Sequence, residues 1–99
     1  MHSSRPDRLF RFGLDPETIE ELALQAAAAE NRGFPHGVSA FSRSDRPDSV
    51  SASAAEIEEK FALHKTGANP FHYTIELPKP VTQEVADLFN GLFGRGSAA

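Results

Sequence analysis

The sequence predicts a small α+β domain, in which helices pack on one face of an antiparallel sheet of about three strands in the order α-β-α-β-β-α. Two observations lead to this class. Residues 71–77 (FHYTIEL) alternate apolar and polar side chains, which is the period of a half-buried strand. Three other segments begin with a capping residue and continue with helix-forming residues or with an apolar stripe at helical spacing.

The first helix is predicted over residues 16–31. Asp15 is its expected N-cap, because Pro16 suits the first helical position and acidic residues follow in the first turn. The run of alanines at 26–29 has the highest intrinsic helix propensity. Gly33 is the expected left-handed residue just beyond the helix end.

Two further helices are predicted over residues 54–60 and 83–93. The second begins at Ser53, where the pattern of a capping box starts, and the third begins after Thr82. The third helix carries an apolar stripe that we expect to face the core, formed by Val85, Leu88, Phe89, Leu92 and Phe93.

The strands are predicted over residues 35–42, 61–66 and 71–77. The last two form a hairpin, because residues 66–70 (TGANP) supply the glycine, asparagine and proline of a turn. A second helix that continued through residue 66 would remove this hairpin and the predicted sheet order.

The remaining segments complete the predicted organisation. Residues 1–14 form an N-terminal arm that is either a short strand or a segment packed across the domain, and residues 43–53 form a polar loop. Residues 15–94 make a single domain, and residues 95–99 are expected to fray.

Alternation in the last strand predicts two opposite faces. One face points into the core, and its members are Phe71, Tyr73, Ile75 and Leu77. The other face is open and polar, and its members are His72, Thr74 and Glu76.

Composition narrows the classes of function. The chain has 99 residues, no cysteine and a formal net charge of −4, which argues against binding nucleic acid through a general basic field. A local basic patch stays open, because arginines recur near the start of the chain and in the loop after residue 42. No apolar run reaches the roughly 18 residues of a membrane span, and residues 1–13 lack the apolar core of a signal peptide, so we expect a cytoplasmic protein with no membrane partner.

The histidines suggest acid–base chemistry on RNA. His36 and His72 are the candidate general acid and base, since an imidazole titrates near neutral pH. Thr74 is the third candidate catalytic residue, and the residues expected to bind the phosphate are Ser39, Lys65 and Arg43. Cleavage through the neighbouring 2′-hydroxyl needs no cofactor. A zinc site built from His64, His72 and Glu76 is a weaker alternative, because no recognised ligand spacing is present.

Three short segments carry a resemblance to a known group of proteins. PHGVS (35–39), HYTI (72–75) and PKPVT (78–82) together resemble a pattern in small bacterial proteins and toxin-like C-terminal domains. Some compact toxins of this kind are ribonucleases similar to the colicin and barnase-like group, with a helix packed on an antiparallel sheet. The resemblance therefore implies a ribonuclease, and the acid–base role expected of the histidines makes it a metal-independent one.

The competing interpretation is a non-catalytic interaction module, such as an antitoxin, an immunity protein or a subunit of a complex. In that case the strand at 71–77 is an edge that pairs with a partner strand. Eight phenylalanines in so small a chain also favour a homodimer. The distance between His36 and His72 distinguishes the two interpretations, because an enzyme of this type needs both rings at one cleft.

Overall fold

The computed structural model describes residues 5–96. The α+β class predicted from the sequence is confirmed. In chain order the elements are β1 (Arg8–Phe12), α1 (Ile19–Asn31), β2 (Gly37–Phe41), β3 (Ser49–Ser53), α2 (Ala54–Lys60), β4 (Leu63–Lys65), β5 (His72–Glu76) and α3 (Gln83–Leu92).

The sheet has five antiparallel strands in the spatial order β3-β1-β2-β5-β4, so the prediction of about three strands was wrong. The two additional strands are β1, which lies in the predicted N-terminal arm, and β3, which lies in the predicted loop. The two strands form an antiparallel pair, in which all five residues of β1 pair with all five residues of β3. The strand β5 lies between β2 and β4, so it is not the edge that the interaction hypothesis placed there.

The first helix begins later than predicted, at Ile19. Thr18 rather than Asp15 is its N-cap, because Thr18 and Glu21 form a reciprocal capping box between side chains and backbone N–H groups. Gly33 follows the helix end with φ of +83°, a left-handed conformation that favours glycine.

The other two helices begin at the predicted caps, Ser53 and Thr82, whose hydroxyls accept hydrogen bonds from first-turn N–H groups. Leu88 is 38% exposed, so its predicted place in the core was wrong. Across residues 5–96 the structure contains no helix of the length and apolarity that spanning a membrane requires.

The predicted hairpin between β4 and β5 is present, although β4 is only three residues long. Register with β2 places Val38 opposite Ile75 and Ser39 opposite Thr74, so these two pairs lie on opposite faces of the sheet. Val38 and Ile75 belong to the hydrophobic core. Its other buried members are Leu9, Leu22, Ala40, Ala52, Ala54, Ile57, Phe61, Leu77, Val81, Ala86, Phe89 and Phe93.

A buried ionic cluster, defined here as Arg11, Glu17 and Arg95, joins the two ends of the domain. The carboxylate of Glu17 accepts hydrogen bonds from both guanidinium groups and from Gln25. The amide of Asn90 binds the backbone of Glu17 twice, with both distances at 2.9 Å. Arg95 is 5% exposed, so the predicted frayed tail does not begin there, and residues 97–99 of that tail lie outside the described part of the chain.

Burial and the neighbouring opposite charge shift the pKa values of Arg11 and Glu17 in opposite directions. Burial lowers the pKa of the Arg11 guanidinium. Burial on its own would raise the pKa of Glu17, but the charge of Arg11 and the hydrogen bonds from Arg11, Gln25 and Arg95 outweigh it. The pKa of Glu17 therefore lies below its usual range.

Candidate functional site

His72 lies in a buried hydrogen-bonded network, although the sequence predicted it on an open face. The residue is 8% exposed. Its Nε2 is 2.9 Å from the hydroxyl oxygen of Ser39, and its Nδ1 is 2.9 Å from the hydroxyl and 3.1 Å from the carbonyl oxygen of Thr66. Because a carbonyl can only accept, this geometry places a proton on Nδ1, and the hydroxyl of Ser39 can donate to Nε2 or accept from it.

Strand register explains why these groups meet. His72 lies opposite Phe41 and Thr74 lies opposite Ser39, so all four share one face of β2 and β5. Thr66 joins the network through a hydroxyl 2.8 Å from that of Thr74. The rings of Phe41 and Phe34 lie 5.3 Å and 5.9 Å from the His72 ring and cover it.

Ser39 and His72 are at the distance expected of a nucleophile and its base. The pair is nevertheless closed to a substrate, because Phe34 and Phe41 pack against the imidazole. The two surface cavities described below are lined by other residues, and neither Ser39 nor His72 contributes to them. The network therefore serves to join β2, β5 and the hairpin turn.

His36 does not approach His72. The backbone N–H of Leu77 donates to the carbonyl of His36, and the Nδ1 atom of His36 lies 3.0 Å from the carbonyl oxygen of Leu77. Leu77 is five residues from His72 along the chain, a separation of about 17 Å at ~3.4 Å per residue. Alternation also directs position 36 to the face of Val38, opposite to His72. The structure does not assemble the predicted acid–base pair.

The predicted phosphate-binding residues are also dispersed. Lys65 donates to the carbonyl of Asn69 at 2.7 Å and thereby closes the hairpin turn, whereas Arg43 lies in the loop after β2. For the zinc alternative, His64 and Glu76 lie 2.7 Å apart. In the described range 5–96 no three metal-ligating side chains cluster, so His72 does not complete that set.

A different region has the character of a binding surface. We define the aromatic–arginine surface as Phe12, Phe41, Phe71, Arg43 and Arg46. It lies where β1 and β2 end and where β5 begins. Phe12 and Phe71 are 39% and 38% exposed, although large aromatic side chains are usually mostly buried.

The rings of this surface surround a cavity of about 270 Å³, which Asn69 and residues of the loop after β2 also line. Phe12 stacks on Phe41 with centroids 5.6 Å apart. Each exposed ring carries a guanidinium group over its face: Arg43 lies 4.8 Å from the Phe71 centroid, and Arg46 lies 4.3 Å from that of Phe12.

The two arginines differ in their partners. Arg46 forms two hydrogen bonds with the carboxylate of Asp48, at 2.8 Å and 3.0 Å, and these bonds hold the pKa of that carboxyl below its usual range. Arg43 contacts the Phe71 ring and has no ion-pair partner in the described part of the chain. Its charge therefore remains available at the rim of the cavity, where Asp45 is the nearby acidic residue.

A second cavity, of about 460 Å³, lies on the other side of Phe71. Its lining mixes charges of both signs, including Arg5, Glu58 and Lys65. Arg5 and Glu58 form an ion pair with each other. The charges that line this cavity are therefore more mixed than those at the cavity between Phe12 and Phe71.

Sequence reasoning missed this surface because it assigned Phe71 to the core. The strand begins at His72, and Phe71 still belongs to the turn, where Pro70 precedes it and the amide of Asn69 caps its backbone N–H. The sequence contained one signal that Phe71 belongs to the turn, because Pro70 directly precedes it. Arg43 was predicted to contact a ligand, but the aromatic partner was not identified.

Comparisons with models of protein families, with curated proteins and with solved structures give no match for this chain.

Proposed function

We propose that this protein is a non-catalytic interaction module that binds a segment of a partner protein through the aromatic–arginine surface. The observation that carries the proposal is the cavity of about 270 Å³ between two exposed phenylalanine rings, each with a guanidinium group over its face. Aromatic residues and arginine are the residue types enriched in protein interfaces and among the side chains that dominate binding energy.

The chemistry of the surface specifies the partner segment. The cavity is lined on its sides by phenyl rings, so it suits a large apolar side chain. Arg43 is a cation without an ion-pair partner in residues 5–96, so it suits a carboxylate beside that side chain. The occupant that fits both features is a peptide segment with a large apolar residue next to Asp or Glu.

A ribonuclease of the toxin-like kind stays a prediction, and so does a cytoplasmic location. The interaction module has the stronger support, because the histidines expected to act as acid and base lie on opposite faces and His72 is buried under two phenyl rings.

Selection from a displayed library of random peptides tests the proposal. We expect the selected peptides to share a large apolar residue next to an acidic one, and to bind the protein in a fluorescence polarisation assay. Phe71→Ser should abolish that binding. Leu24→Ser is the matched control, because Leu24 is 74% exposed on α1 and lies outside the surface.

Peptides that bind Phe71→Ser as tightly as the wild type would overturn the proposal. So would a selection that yields no binding peptide. Incubation of the same wild-type protein with labelled single-stranded RNA provides the second arm, and RNA cleavage that depends on His72 would favour the ribonuclease instead.

A further inference from the structure

The strand β3 forms one edge of the sheet, with β1 as its neighbour on one side. Two backbone hydrogen bonds identify which of its groups point away from β1. Gly13 donates to Asp48, and Ala54 donates to Asp7. In an antiparallel pair, hydrogen-bonded and non-hydrogen-bonded positions alternate, so Val50 and Ala52 bond to β1. The backbone groups of Ser49 and Ser51 and the N–H of Ser53 therefore point outward, whereas the carbonyl of Ser53 begins α2 as its N-cap.

This edge lacks the features by which proteins usually protect edge strands. Its five residues (SVSAS) include no proline, no charge and no glycine, and every one of them is in regular register with β1. The opposite edge, β4, is different. It has only three residues, ends in Lys65, and passes directly into the hairpin turn. Of the two edges of the sheet within residues 5–96, β3 is the longer and more regular, so it is the one suited to accept another strand.

The sequence of this edge is nearly symmetric about Ser51. Serines lie at positions 49, 51 and 53, and the small apolar residues Val50 and Ala52 lie between them. We propose that β3 pairs with β3 of a second copy in an antiparallel arrangement, with the two-fold axis at Ser51. Ser51 then bonds to the partner's Ser51, and Val50 lies opposite the partner's Ala52. This inference does not depend on the proposed function, because no residue of β3 lines the cavity of the aromatic–arginine surface. Arg46 belongs both to that surface and to the expected dimer contact, and the variants at Ser51 leave it unchanged.

Charges at the two ends of the strand support the same arrangement. Arg46 precedes Ser51 by five residues, and Glu56 follows it by five. A two-fold axis at Ser51 therefore brings the loop that carries Arg46 in one copy toward the first turn of α2 in the other, where the exposed Glu56 lies. Arg46 is already paired with Asp48 of its own chain, so this contact extends that ion pair to Glu56 of the second copy, and it occurs twice because the interface is isologous.

Light scattering and a pair of lysine variants test the association. The wild-type chain should have twice the monomer mass at tens of micromolar. Ser51→Lys should weaken dimerisation about tenfold or more, because the axis sets the two lysines directly opposite each other. Ala27→Lys adds the same charge at an exposed position of α1 and should leave the dimer intact. A monomeric wild type would overturn the proposal.

Cross-linking tests the register even if the lysine variant folds poorly. The chain contains no cysteine, so Ser51→Cys introduces a single thiol per copy. Two residues facing each other across an antiparallel pair have Cα atoms about 5.5 Å apart, within the range that a disulfide spans. Mild oxidation should convert Ser51→Cys to a covalent dimer much faster than Ala27→Cys. Equal rates for the two variants would contradict pairing at Ser51.

Discussion

At the buried ionic cluster and at the aromatic–arginine surface, an arginine lies over a phenylalanine ring, but the two regions place this contact in opposite environments. In the cluster, the guanidinium group of Arg11 lies 5.3 Å from the centroid of Phe89, and a carboxylate satisfies the charge. At the surface, Arg43 lies 4.8 Å from the centroid of Phe71, and no carboxylate pairs with it in the described chain. Phe89 is fully buried, whereas Phe71 is 38% exposed.

This difference separates groups that hold the fold from groups available to a partner. Inside the domain, Glu17 and neighbouring carbonyl oxygens bind Arg11 and the two terminal nitrogens of Arg95, whereas the buried Nε of Arg95 has no partner among the described residues. Both guanidinium groups are buried, so they are not available to a partner protein. At the surface, the ring of Phe71 is partly exposed, and the guanidinium group of Arg43 has no ion-pair partner in the described chain. Substitutions should therefore change stability in the first region and binding in the second.

The largest effect on stability is expected from Glu17→Gln. The substitution removes the one carboxylate that neutralises two buried guanidinium groups, and breaking such a pair costs about 3–5 kcal/mol. Chemical denaturation monitored by circular dichroism measures the change. Glu59→Gln, at an exposed position of α2, is the matched control and should stay within about 0.5 kcal/mol of the wild type.

Acid should reduce the difference between wild type and Glu17→Gln. Because the pKa of Glu17 is lowered in the folded chain, the unfolded chain takes up this proton first as the pH falls. The stability from Glu17 is therefore fully present above its ordinary pKa of about 4.3 and is lost as the pH falls through the lower folded value. A difference that stays constant from neutral pH into acid would contradict the charge-based account of the cluster.

The parts of the fold that the sequence predicted correctly are those whose sequence signal lies within a few neighbouring residues. The caps at Ser53 and Thr82 fixed two helix starts, because a cap acts within one turn. The strand β3 was missed because its serines resemble a loop and because β1, its partner, lies about 40 residues earlier in the chain. A short strand was one of the two alternatives for the N-terminal arm, but its pairing with β3 was not predicted.

The same distinction applies to the candidate site. Alternation correctly placed His72 and Thr74 on one face of their strand, and the register of β2 and β5 adds Ser39 to that face. It could not show that this face is covered, because Phe34 reaches His72 from outside the regular strands. Arg43 was predicted as a ligand contact, yet its contact with Phe71 depends on the three-dimensional path of two loops.

A smaller loss of stability is expected from His72→Ala. The substitution leaves the hydroxyl of Ser39 without its imidazole partner and opens space beside Phe34 and Phe41, so we expect a cost of about 1–3 kcal/mol. Thermal unfolding measures this effect, and His36→Ala serves as the comparison.

The two histidine variants also test the ribonuclease prediction. An acid–base pair would make each substitution reduce RNA cleavage by a factor of about 10²–10⁴. If wild type cleaves RNA and both variants lose that activity while remaining folded, the two residues act together despite their positions, and the interaction module would no longer be the preferred function.

The smallest effect on stability is expected from Phe71→Ser, and its effect on binding tests the central claim most directly. Titration of a selected peptide into wild type, Phe71→Ser and Leu24→Ser gives three dissociation constants. Loss of an exposed ring should change the free energy of unfolding by less than about 1 kcal/mol, yet the dissociation constant should rise at least about tenfold in Phe71→Ser and stay unchanged in Leu24→Ser. Unchanged peptide affinity in a folded Phe71→Ser protein would contradict the claim that the aromatic–arginine surface exists for binding.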